Sequence, residues 1–330
     1  MFNNLKLTQY LAILSFLAVI LTFIVIGLGA YTRLNNAGLG CPDWPGCYGH
    51  LTVPNNLSPA ITHKADAEMI HRAVAGTLGI FILAITFLSA LISVKRGFQF
   101  LIISLLLFAL VIYQITLGMW TVTLKLLPII VTQHLMGGML LLSLLWLIHL
   151  RCRQPNVLIT PSSSEKRLRI FALITLIVVL LQISLGAWTS TNYAALICHG
   201  FPFCHAAVPL AYHFKSAFNL LSPIGTNYEG GVLSDAARMT IQMTHRFGAL
   251  ITSLFIFLLF FKARYNPRLR KIMKLALLIL LIQICLGVSN VLFQRPVTIS
   301  ILHNLFAAIL LLCLVTLNHF LYYKNSVRKL

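Results

Sequence analysis

GAYTRLNNAGLGCPDWPGC (residues 29–47) returns 157 positions later as GAWTSTNYAALICHGFPFC (186–204), with nine of 19 positions identical. Both cysteines and the proline between them are among the matches. The echo continues on either side. MIHR at 69–72 is answered by MTHR at 243–246, and QITLG at 114–118 by QICLG at 283–287, a shift of 169 that also carries His134 onto His303. Short apolar words align by chance, but two cysteines and two histidines in the same order do not do so easily. The chain therefore reads as a duplicated unit.

Each unit holds four apolar runs. The eight runs cover approximately 9–32, 66–94, 99–121, 129–150, 170–190, 238–261, 275–294 and 299–323. All are long enough to cross about 30 Å of hydrocarbon as helices. The composition agrees: 59% hydrophobic and 9% charged, against about 25% charged in a soluble domain. The expected fold class is an all-α membrane protein of eight transmembrane helices, arranged as two pseudo-equivalent parallel four-helix bundles. Residues 1–150 form the first half, 151–169 a cytoplasmic linker and 170–330 the second half. A parallel repeat also disfavours transport, where inverted repeats are commoner.

The net charge of +19 could suggest nucleic acid, but its distribution points elsewhere. Lys6, Lys95–Arg96, Arg151 to Arg169, Lys262 to Lys274 and Lys324 to Lys329 hold 17 of the 25 basic residues, all in alternate breaks between apolar runs. By the positive-inside rule those breaks and both termini are cytoplasmic. The long breaks 33–65 and 191–237 are then external, and five of the six acids (Asp43, Asp66, Glu68, Glu229, Asp235) lie on or near that side. The run from Leu11 to Ala30 is too long for a typical signal-peptide core and reads as a retained first span. No Arg- and Ser-rich presequence precedes it, which favours a bacterial plasma membrane with the histidine face towards the periplasm.

His71, His134, His245 and His303 each lie four or five residues into one of the four runs that start outside, so they stand level with one another. Ionisable residues inside a membrane are costly and mark function. Two helices presenting one imidazole each at one depth form a bis-histidine haem site, and the repeat supplies two. Zinc or copper would want three or four convergent ligands. Arg72, Arg246, Lys125 and Arg295 are candidate partners for haem propionates. His149 and His319 read as interfacial residues, and His50, His63, His199, His205 and His213 as surface residues in the external loops. Trp120 and Trp188 read as interface anchors. The glycines of GLGAYT, TLGMW and SLGAW allow either close helix approach or room for a flat ring.

The halves differ at one position. Glu68, three residues before His71, has Gln242 as its counterpart, which cannot exchange a proton near neutral pH. An electron-transfer site needs no carboxylate, whereas a site oxidising C–H bonds can use one as a proton acceptor or to stabilise a developing cation. The first half therefore reads as catalytic and the second as a fixed redox site. Cys41/Cys47 and Cys198/Cys204 stand on the oxidising side, where disulfides are permitted and would hold the long loops as compact lids. Cys285 and Cys313 read as small packing residues.

These features together resemble the haem A synthase family. The match covers nearly the whole chain: eight spans in two halves, EMIHR in the second run, one histidine in each even run and paired loop cysteines. The resemblance implies that His71 and His134 hold haem O as substrate, that His245 and His303 ligate a haem B cofactor, and that Glu68 is the catalytic carboxylate. The implied reaction is stepwise oxidation of the C8 methyl of haem O to a formyl group, giving haem A. Haem O synthase, a quinone and terminal oxidase assembly are the further partners it suggests. A dihaem cytochrome b-type quinol electron carrier without substrate oxidation would use the same histidines, as would a haem transporter.

Overall fold

The structure is a computed structural model that describes residues 2–96, 99–153, 156–158, 163–198, 200–204 and 211–325. His199 and His205, read as surface histidines, lie outside the described residues. In chain order the helices are α1 (Phe2–Leu34), α2 (Pro59–Arg96), α3 (Gln99–Thr123), α4 (Pro128–Arg153), α5 (Ser163–Thr191), α6 (Phe214–Ala217), α7 (Asp235–Ala263), α8 (Pro267–Leu292) and α9 (Val297–Tyr322). All but the one-turn α6 are long and apolar enough to cross a membrane, which gives the eight expected spans. A three-residue antiparallel pairing of Asn156–Leu158 (β1) with Tyr323–Asn325 (β2) ties the linker to the end of the chain.

The helices overrun the apolar segments. α2 has 38 residues, about 57 Å at 1.5 Å each, nearly twice the hydrocarbon thickness. Apolarity stops at the membrane boundary, but backbone hydrogen bonding stops only at a capping signal. Pro59, Pro128 and Pro267 open helices at the position where a missing N–H costs nothing. Ser234 accepts from Ala237 N, and Asn266 from Arg268 N and Leu269 N.

Neighbour relations in the two halves correspond. α1 and α3 each pack on α2 and α4; α5 and α8 each pack on α7 and α9. Between the halves α1 meets α9, α4 meets α5, and α4 meets α9. The turns correspond as well. Asn36 and Tyr193, 157 apart, both take the left-handed conformation (φ 50° and 52°), and so do Lys125–Leu126 and Gln294–Arg295, 169 apart.

One apolar cluster draws buried residues from all eight spanning helices, among them Leu11, Ile82, Leu107, Leu142, Ile256 and Leu314. It fills only one end of the molecule. Its buried members stop at Val19 in α1, Ile183 in α5 and Leu280 in α8, and begin at Leu78 in α2, Met139 in α4, Ile256 in α7 and Ala308 in α9. The histidine level lies just beyond these limits in every case. At the histidine level the cluster continues only through partly buried residues, among them Val25, Leu135, Met136 and Phe306. On the outside, exposed Ile13, Phe87, Leu181 and Leu250 present the apolar surface that lipid would cover.

The long loops close over the histidine end. Disulfides join Cys41 to Cys47 and Cys198 to Cys204. Asp43 accepts from Tyr48 N (2.6 Å) and Gly49 N (2.9 Å). The Gly49 N–H foremost holds its carboxyl below the usual range, so this turn loosens only as pH falls through that lowered value. Tyr228, from the second long loop, reaches across to the first half. It packs with Leu117, Leu126, Leu127 and Ile130, and its N–H bonds to the Lys125 carbonyl at 3.1 Å. With Cys41 and Cys47 fully buried, the four loop cysteines should resist alkylation in purified protein until a reductant is added. Prompt labelling of all four without reductant would contradict the closed loops.

Candidate functional site

α2 and α4 face each other across the first four helices, and each presents one histidine inward. The rings of His71 and His134 stand 6.4 Å apart, centre to centre, at 85°. Two imidazoles bound to one iron from opposite faces have ring centres roughly 6 Å apart, because each iron–nitrogen bond is about 2 Å and each nitrogen lies about 1 Å from its ring centre. Nδ1 of both rings is buried without a hydrogen-bond partner among the described residues. The pair therefore fits a metal-centred macrocycle. No three of His, Cys, Asp or Glu converge among the described residues, as a tetrahedral zinc site would need.

A glycine on a neighbouring helix seats each of the four imidazoles. A methyl group placed on Gly29, Gly186 or Gly287 would come within 3.1 Å of Cε1 of His71, His245 or His303, and one on Gly118 within 3.6 Å of His134 Cε1. These are the glycines of GLGAYT, SLGAW, QICLG and TLGMW. At Gly29, Gly186 and Gly287 the missing side chain leaves room for the edge of a histidine ring from the neighbouring helix.

The two pairs differ in their supports. The Gln182 amide nitrogen lies 3.1 Å from His245 Nδ1 and donates to the His245 carbonyl at 3.0 Å. The Gln283 amide nitrogen lies 3.3 Å from His303 Nε2. In the first half the equivalent of Gln182 is Val25, and the Gln114 amide nitrogen, equivalent to that of Gln283, is buried without a partner. The second pair has a glutamine amide beside each ring; in the first, His71 is met by the Val25 backbone instead, and Nδ1 of His303 is unpartnered like those of His71 and His134.

Glu68 is buried on α2 one turn before Arg72. Its Oε1 accepts from Arg72 Nη2 at 2.6 Å and its Oε2 from Cys41 N at 2.9 Å. Arg72 also donates to the carbonyls of Asp43 (3.1 Å), Pro45 (3.2 Å) and Gly46 (2.6 Å). The two side chains thus clamp the first disulfide loop onto α2, and Arg72 is already committed as a donor. Arg246 repeats half of this clamp, donating to Gly200 O (2.8 Å) and Pro202 O (2.9 Å). Its Nε and Nη2 are buried without partners, as is Gln242 Oε1.

A family model, COX15-CtaA, described as cytochrome oxidase assembly protein, matches residues 12–315. The chain is 43% identical over 322 residues to a protein of Shewanella oneidensis named heme A synthase, covering 94% of this chain and 96% of that one. The chain belongs to the haem A synthase family. A heme A synthase of Bacillus pumilus is 25% identical over 90% of this chain and 91% of its own length. One from Rickettsia akari is 31% identical over 54% and 50%.

In this haem A synthase family member Lys125 and Arg295 lie in the short turns after α3 and α8, where they were expected: Lys125 is exposed and its Nζ donates to Gly225 O at 3.5 Å, and Arg295 is half-buried. Other residues lie elsewhere than expected. His149 and His319 are not interfacial. Both are buried, His149 between Phe16 and Trp146 with Nδ1 2.9 Å from Ala12 O. Trp188 is not an interface anchor either: it is 5% exposed, and its Nε1 donates to Ala217 O at 2.8 Å. Cys285 is exposed rather than packed, whereas Cys313 is buried. His50, His63 and His213 are exposed, as expected, but His63 lies in the first turns of α2 rather than in a loop, because the helix starts at Pro59 ahead of the apolar run. Sequence reasoning passed over Gln182, Gln283 and Arg33. The QI-x-LG word was a usable signal for both glutamines: it occurs as QITLG at 114–118, QISLG at 182–186 and QICLG at 283–287.

Proposed function

We propose that this chain is a haem A synthase: a multi-pass membrane oxidoreductase that converts the C8 methyl of haem O to a formyl group and releases haem A. His71 and His134 hold haem O, and His245 and His303 hold haem B. When bound, haem B supplies a one-electron redox couple for passing electrons to an acceptor such as a quinone. The observation that carries this reading is the asymmetry within the repeat. A resident cofactor gains from an amide beside each ligand, since hydrogen bonds to ligating histidines raise metal affinity about 10–100-fold. A substrate that must leave as product gains from ligands without such amides.

The chain's residues then divide the work. Gly29 and Gly118 let the imidazoles of His71 and His134 lie deep enough to orient the macrocycle. The clamped first loop, with Tyr228 across the α3–α4 corner, covers the histidine end of the first half. Turning the methyl into a formyl group removes electrons, which pass to the acceptor, and protons, and brings in one oxygen atom from water or dioxygen; Glu68 is the group that receives a proton. Doing so weakens its hold on Arg72 or on the Cys41 N–H. Arg246, Arg295 and Lys125 remain the candidate propionate partners. Both termini are cytoplasmic and the sites open towards the periplasm, with residues 1–150 as the substrate half and 170–330 as the cofactor half, joined by the 151–169 linker. Haem O synthase and terminal oxidase assembly stand upstream and downstream.

Pigment extraction after expression with and without a source of haem O tests the activity. A pyridine-adduct spectrum and mass should show the formylated product only when haem O is supplied; its absence then would overturn the proposal. The glycine seats give a second expectation. Gly186→Ala, which forces the His245 ring to give by a few tenths of an ångström, should shift or broaden the bound haem's absorption. Gly76→Ala, with nothing within 4 Å of the added methyl, should leave the spectrum as it was.

A further inference from the structure

Arg33 stands at the C-terminal end of α1, one turn beyond Gly29, which seats His71. Its Nη2 donates to the Ser190 carbonyl at 2.5 Å, and its guanidinium carbon lies 4.0 Å from the centre of the Tyr193 ring. Ser190 is one turn beyond Gly186, which seats His245. The guanidinium therefore sits on the seam between the halves, just past both histidine levels.

Glu229 is the carboxylate that acts on it, from beyond ion-pair distance. Among the described residues no carboxylate oxygen comes within 4.0 Å of its nitrogens, whereas Arg72, Arg238 and Lys64 each have one. Its acceptors there are the Ser190 carbonyl and the Tyr193 side chain, which do not use all of its five N–H donors. A cation at the edge of a membrane interior is costly without an anion.

The repeat shows which half lacks a cation. In the second half Arg246 keeps two nitrogens unpartnered. In the first half Glu68 and three loop carbonyls occupy its counterpart, Arg72. Arg33 is present in the first half alone, its repeat partner being Ser190.

We propose that Arg33 binds a propionate carboxylate of the tetrapyrrole held by His71 and His134, replacing the arginine that Glu68 has taken. The planar guanidinium fork matches a carboxylate in two-point contact. This rests on the haem reading of the site but adds a residue and a ligand group to it.

The test is to titrate purified full-length protein with iron protoporphyrin and with its dimethyl ester, following the Soret band, in wild type, Arg33→Gln and Arg33→Lys. Wild type should prefer the free acid by roughly tenfold to a hundredfold, the range for hydrogen bonds to charged groups. Arg33→Gln should lose most of that preference, and Arg33→Lys should keep part of it. Equal preference in wild type and Arg33→Gln overturns the assignment. If Arg33→Gln does not fold, a wild type that binds acid and ester alike overturns it, and a wild-type preference reduced in Arg33→Lys supports it. Failure of wild type to take up either porphyrin would instead sink the haem reading beneath it.

Discussion

Protein carrying Glu68→Gln should keep its bound haem and yield at least about 100-fold less formylated product, the scale on which general acid–base groups act. Glutamine keeps the shape of the side chain and an oxygen for the Cys41 N–H, but it brings an NH2 group towards Arg72 and cannot take a proton. The loop clamp weakens with it, so a second variant must separate the two effects. Arg72→Gln removes the clamp's main donor and leaves the acid. If Glu68 matters as a proton acceptor, Arg72→Gln retains measurable turnover and Glu68→Gln does not. Extraction and mass analysis of the pigments read both. Haem A at the wild-type level from Glu68→Gln would remove the carboxylate from the chemistry.

The second large effect is spectral. His245→Ala or His303→Ala should abolish the low-spin haem spectrum of purified protein, while His71→Ala and His134→Ala leave it in place. The distinction follows from the assignment of haem B to the second half, where a glutamine stands beside each histidine, its amide oxygen otherwise unpartnered; a resident cofactor should still be bound after purification. Should the spectrum survive the second-half variants and vanish with the first-half ones, the roles of the two halves are exchanged.

Much of this was legible in the sequence because the signals were local or periodic. Apolar length revealed eight spans, and the repeat revealed that His71 corresponds to His245 and His134 to His303. The cysteine pairs showed themselves by spacing within one loop. Contacts between distant stretches were harder to see. Arg72 meets Asp43, Pro45 and Gly46 across a gap of 26 to 29 residues, and no pattern distinguishes an arginine that holds a loop from one that awaits a ligand. Trp188 and His149 look like boundary residues by position, but their surroundings come from Ala217 in the second long loop and from Ala12 and Phe16 in α1. The helix ends overran the apolar runs because capping residues, rather than hydropathy, stop a helix.

The seam carries a consequence of its own. Arg33 meets Ser190 and Asn36 meets Tyr193, and in each case the partners are 157 residues apart, the offset of the repeat. Each residue touches its own counterpart, as happens only beside a local twofold axis. Two identical subunits meeting there would have to bring two arginines or none to the same spot, and two would repel. One continuous polypeptide is free of that constraint, and it allows a single positive charge where mirrored copies would have to forgo it.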